Sequence, residues 1–570
     1  MKKSFAILTI LTLLGGCQSI TSAPETTPPA PVSTPEPQQY ASFSQETLYA
    51  LLTAELAGQR GRFDIALGNY LQQANATEDP AVAERAYRIA EYLGSEQAAL
   101  LSSQIWADAA PDNLDAQRAA AIQLARAGRF DESLVYMENV LKRHGSTHFD
   151  FLALSAAETD PDTRSGLMKN FDRLLQQYPN NAQLLFGQAL LLQQDGRPEE
   201  ALALLQRQPV QDSEIATLLL RTRLLQSVGR GDEALPLLER GIRQHPDDKR
   251  LRLAQARLLV DQGRIKEAKQ AFSRLLEQYP DDDDLRFSLA LVCMEAKDWQ
   301  EARDHLQQLV RNETHVNAAH LHLGRVHEEL GEPEQALDEY SQVGPSNEFL
   351  PAQVRQSNIL FSSQRSAEAS RRLRGARLDQ PDYALQLYLI ESEAWAKYQQ
   401  PERASRLIEQ ALKEFPDDLS LLYTRAMLAE KRGDLAQLEK DLRFILEREP
   451  DNAMALNALG YTLADRTTRY AEAKVLIEQA HQLNSQDPAI LDSLGWVNFR
   501  LGNLSEAERL LRQAHEQFPD AEVAAHLGEV LWARGKHAEA RRVWAEALKA
   551  QPESSILRST LQRLTGSENP

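Results

Sequence analysis

His315, His320, His322 and His327 form the one histidine cluster in this 570-residue chain. Imidazoles are the commonest ligands for zinc and its neighbours. A metal-binding pair on a helix normally sits four residues apart, and His320 and His322 instead face different sides. His320 and His327 fall at positions where paired helices pack, so the cluster reads as packing rather than as a metal site. Asp281 to Asp284 form an acidic run at the start of a predicted helix. Capping and the helix dipole explain that run without calcium, whose loops need a regular ligand spacing. Arg371, Arg372, Arg374 and Arg377 crowd one helix and read as a solvated face, with an acidic partner as the other reading. Cys293 falls at a buried helix position and reads as core. The chain contains no HExxH, GxSxG, GxxxxGK or CxxC, so no catalytic residue, cofactor or metal is expected.

The remaining cysteine, Cys17, carries a different chemistry. Lys2 and Lys3 precede a mostly apolar run from Ser4 to Leu14, too short to span a bilayer and right for a secretory signal. The run ends in Leu14-Gly15-Gly16-Cys17, which resembles a bacterial lipobox. The resemblance implies cleavage before Cys17 (signal 1–16), a diacylglycerol on its thiol, and an anchor of several acyl chains. Gln18, where Asp would signal retention, then points to the outer membrane. Cleavage takes the formal charge from −19 to −21. A chain this acidic is repelled by nucleic acid. Residues 17–44 are rich in Pro, Ser and Thr (Pro24, Pro28, Pro29, Pro31, Pro35, Pro37) and read as an extended tether.

The remainder repeats. Gly229, Gly263, Gly331 and Gly433 are separated by multiples of 34 residues, and Ala234, Ala268, Ala302 and Ala336 recur every 34. Within a unit, Gly263 precedes Ala268, Phe272 and Pro280 in fixed order. The glycine ends a first helix in a left-handed turn, the alanine lies where two helices approach, and the proline closes the second helix. With Leu-Gly and aromatic positions added, the order resembles the tetratricopeptide repeat. The fold expected is all-α: a right-handed α-solenoid of about fifteen helix pairs over 45–554, with a capping helix and tail over 555–570. Unit starts fall near 47, 80, 114, 148, 182, 215, 249, 283, 317, 350, 385, 419, 453, 488 and 521. The unit from 148 is the weakest, lacking both the Gly and the Ala, and the unit from 453 has an insertion near Thr467.

In that family, ligands touch set positions of each first helix. Carried onto this sequence, those positions hold Phe186, Phe287, Met294, Phe361, Tyr423 and Met427, then Asn457, Tyr461, Asp492, Trp496, Phe499 and Trp532. The resemblance gives Asn457 the role of bonding a peptide backbone. The rings serve either as groove anchors or as packing between repeats, and a solenoid leaves both readings open.

Lipobox, tether and array together resemble a group of proteobacterial outer-membrane lipoproteins, through the stretches GQRGRFDIALGNYLQQA (58–74), NALGYTLADRT (457–467) and ILDSLGWVNFRLG (490–502). One member is the adaptor of a periplasmic carboxyl-terminal processing protease that helps degrade peptidoglycan hydrolases. The resemblance implies a non-enzymatic scaffold that faces the periplasm and binds proteins or peptides. The alternatives are an assembly factor for an outer-membrane machine such as a pilus or β-barrel insertion complex, and, further off, a carbohydrate-active enzyme.

Overall fold

The computed structural model describes residues 43–143, 145–206 and 214–569. Cys17, its signal and most of the tether lie outside these residues. The described residues contain 31 α-helices and no strand, as the repeat pattern requires. They fall into two compact units, one ending at Val210 and the other starting at Gln211. The first holds five helix pairs, from Gln45–Gln59 with Phe63–Thr77 to Ala182–Gln194 with Pro198–Leu205. The second holds ten pairs, from Ile215–Ser227 with Gly231–Gln244 to Ala521–Ala533 with His537–Ala550, and ends in the helix Ser555–Thr565.

Local chemistry explains the alternation. Many first helices begin on an Asn or Asp whose side chain accepts a backbone N–H: Asn113, Asn181, Asp248, Asp282, Asp418, Asn452 and Asp487. Second helices such as Gly231–Gln244 and Ile265–Gln278 have no side-chain cap. There an arginine before the helix pairs with a glutamate three residues on, as Arg230 does with Glu233 and Arg264 with Glu267. The turn between paired helices needs a left-handed residue. Gly263 supplies it at φ 69°, and one repeat later Lys297 is held at φ 61°, where its Cβ is strained. Lys297→Gly is therefore expected to raise stability by about 0.5–1 kcal/mol, measured by chemical denaturation. A loss of stability would show that the exposed Lys297 side chain outweighs the strain.

Burial follows the repeat. Ala234, Ala268, Ala302 and Ala336 are fully buried, and Phe272 and Trp544 fill the space within their pairs. The closest approach falls on first-helix glycines: a Cβ on Gly324 would overlap the Tyr340 ring, and one on Gly528 the Trp544 indole. In the unit from 148 the first helix shrinks to Phe149–Ser155 and the second lengthens to Pro161–Gln177. Phe149 and Phe171 pack edge to face at 5.5 Å and fill that pair instead. The final helix buries Leu557 and Leu561 against the last pair, which gives the array a polar end.

The arginine cluster, expected as a solvated face, is solvated only in part. Arg371 and Arg374 are exposed. Arg377 is buried, its guanidinium 2.8 Å from Glu391 of the next repeat and 4.1 Å over the Tyr388 ring. A helix face that is solvated at one turn is covered at the next because the neighbouring first helix crosses it. The histidine cluster disperses: His315 meets Asp284, His320 meets Glu339, His327 meets Glu332, and His322 lies beside Arg325. In the acidic run Asp282 caps the helix Asp283–Glu295, and Asp283 takes Arg286, Asn312 and Thr314.

Candidate functional site

The helices Leu419–Arg432, Ala453–Arg466, Pro488–Arg500 and Ala521–Ala533 are the first helices of four successive repeats in the second unit. Residues four and seven apart share a helix face, so Tyr423, Met427 and Glu430 form one stripe and Asn457 and Tyr461 another. Together with Asp492, Glu522 and the loop residues Phe518 and Asp520, they enclose a cavity of about 330 Å³.

A hydrogen-bonded chain forms one wall. Tyr461 donates its phenol to Glu522 Oε1 at 2.5 Å and stands 3.4 Å from His526 Nε2. His526 Nδ1 lies 3.0 Å from both oxygens of Asp492, and the Trp496 ring stacks on its imidazole at 4.2 Å. Burial opposes a charge on His526, but the touching Asp492 carboxylate outweighs it and raises the pKa. Burial and the Glu522 carboxylate push the Tyr461 phenol far up, so it stays a donor. Burial also raises the carboxyl of Glu430, against the opposing pull of Arg466.

Two polar atoms here are buried with no partner, Asn457 Oδ1 and Trp496 Nε1, and neither is open to solvent. The wall carries four carboxyl groups, Glu430, Asp492, Asp520 and Glu522, and no lysine or arginine. The arrangement offers aromatic faces and net negative charge. It is equipped to hold a donor-rich, cationic segment.

Of the residues singled out in the sequence, Tyr423, Met427, Asn457, Tyr461 and Asp492 come together on this wall. The other seven, Phe361, Trp496, Phe499 and Trp532 among them, do not line it. Phe361 is 4% exposed and packs edge-on to Trp395 at 4.8 Å. Trp496 is 6% exposed behind the wall, with Phe499 beside it at 5.2 Å. Trp532 is half-buried between His537 and Trp544. Phe361 and Trp496 pack against first helices of the next repeat, and Trp532 against the second helix of its own pair. Glu430 and Glu522 hold the same kind of first-helix position as the residues chosen, and a search for carboxylates as well as rings would have found them. His526 lies at a packing position, and no sequence signal marks its contact with Asp492.

Profiles described as tetratricopeptide repeat match residues 225–292, and 169–213, 294–346 and 493–555. The TPR repeat-containing protein PA4667 of Pseudomonas aeruginosa is 64% identical over 575 residues, covering 100% of this chain and 98% of that protein. The chain belongs to the tetratricopeptide-repeat family. Human tetratricopeptide repeat protein 7A is 30% identical over 30% of this chain and 16% of its own length. The crystal structure of yeast Tom70 aligns with a TM-score of 0.35 at 15% identity, over 92% of this chain and 95% of that one. Tetratricopeptide repeats imply a protein–protein interaction scaffold, and the cavity lies on the first-helix face of four of them.

Proposed function

We propose that this protein is a lipid-anchored adaptor of the outer membrane, facing the periplasm. It would gather a carboxyl-terminal processing protease with its cell-wall hydrolase substrates, raising their effective concentration for one another. The lipobox at Cys17, the proline tether and the resemblance of residues 58–74, 457–467 and 490–502 support the anchor and the partners. The observation that carries the binding role is the acidic, ring-lined cavity on four successive first helices, with four carboxyl groups and no lysine or arginine on its wall. An extended peptide lies along the Tyr423 and Tyr461 rings, and a Lys or Arg side chain on it meets Glu430 and Glu522.

The test is capture from detergent-solubilised envelopes by tagged, lipidated protein, read by mass spectrometry. Recovery of a periplasmic protease with peptidoglycan hydrolases is expected. Asn457→Ala and Glu430→Gln should each lower capture of a cavity-bound partner about tenfold without changing the melting temperature. Recovery of pilus or barrel-assembly components without a protease would overturn the adaptor reading. Unchanged capture by both variants would move the binding surface away from this cavity.

A further inference from the structure

The pair formed by Asp283–Glu295 and Trp299–Arg311 holds a second cluster, unrelated to the cavity above. Glu301 and His305 are four residues apart on the second helix and share a face. Cys293, fully buried on the first helix, points at that face. The Cys293 thiol, a Glu301 oxygen and a His305 nitrogen all lie within 4.8 Å of one another. We propose that Cys293, Glu301 and His305 form a zinc site that ties the two helices of this repeat together.

The donor set selects the metal. A thiolate, an imidazole and a carboxylate suit zinc, whereas calcium and magnesium take oxygen ligands. Zinc–sulfur bonds of about 2.3 Å and zinc–nitrogen bonds of about 2.0 Å at tetrahedral angles place donors roughly 3.5 Å apart. The three side chains therefore close by about 1 Å from their present spacing. Three protein ligands leave the fourth position to water. Binding exchanges the thiol proton of Cys293, released to solvent, for the metal, while Glu301 enters as carboxylate and His305 as neutral imidazole.

A cation already stands beside the cluster. Lys269, from the second helix of the preceding repeat, places its Nζ 2.6 Å from Glu301 and 2.5 Å from Asp298. Its charge fills the place beside Glu301 in the metal-free protein. When zinc takes Glu301, Lys269 keeps Asp298 as its partner, so no ammonium is stranded.

Cobalt(II) titration of the full mature protein tests the site. One equivalent should bind with tetrahedral visible absorption and a thiolate-to-cobalt charge-transfer band, and zinc should displace it. Cys293→Ala retains Cys17, so loss of the band in that variant assigns it to Cys293. His305→Ala, at a half-buried position the fold tolerates, should weaken binding about tenfold or more, and Lys269→Met should tighten it roughly tenfold by removing the competing cation. Absence of the band in the wild-type protein, its survival in Cys293→Ala, or unchanged affinity in Lys269→Met would overturn the proposal.

Discussion

Replacing Arg377 by Met is expected to destabilise the second unit by about 3–5 kcal/mol, among the largest losses for any single substitution there. The side chains of Arg377 and Glu391 are 8% and 4% exposed, and they meet at 2.8 Å. Methionine preserves most of the aliphatic length and removes the charge, so Tyr388 loses the cation over its ring and Glu391 loses its ion-pair partner. Its carboxylate keeps only a weak donor, Trp395 Nε1 at 3.4 Å, and has no water to turn to. The double variant Arg377→Met/Glu391→Leu should recover most of the loss, because a buried ion pair replaced by apolar side chains of similar volume is often neutral. Chemical denaturation of the three proteins measures this. A single-variant loss below about 1 kcal/mol would mean that solvent reaches Glu391.

The Trp496→Ala variant separates packing from contact with a partner. The indole is 6% exposed and stacked on His526 behind the cavity wall. Truncation should cost about 3–5 kcal/mol and loosen His526, whose bond to Asp492 shapes that wall. Partner capture should fall with it, as a consequence of the lost packing. Asn457→Ala gives the contrast, since Asn457 is half-buried and lines the cavity; its stability change should stay small while capture falls. Thermal melts beside capture assays distinguish the two. An unchanged melting temperature in Trp496→Ala would return the indole to the binding surface.

Different parts of this protein were legible in the sequence to different degrees. The glycine, alanine and proline intervals located fifteen helix pairs, because each residue answers a backbone requirement local to its repeat. The glycine turns at Gly263 and Gly433 appear as expected, at φ 69° and 75°. Lys297 takes the same conformation without the residue type that announces it. The stripe Tyr423, Asn457, Tyr461 and Asp492 was within reach because groove positions recur with the repeat.

The fate of Trp496, Phe361 and Arg377 was decided only by the tertiary structure. All three occupy helix faces whose exposure depends on how the next repeat lies across them, and that angle is set by side chains a whole repeat away. The pairing of His526 with Asp492, and the gathering of Cys293, Glu301 and His305, have the same origin. The sequence by itself determined the elements and their order, since periodic backbone needs are written locally. Which polar groups meet, and which stay without a partner, was settled by packing between helices, since two side chains interact only when the fold brings them within a few ångströms.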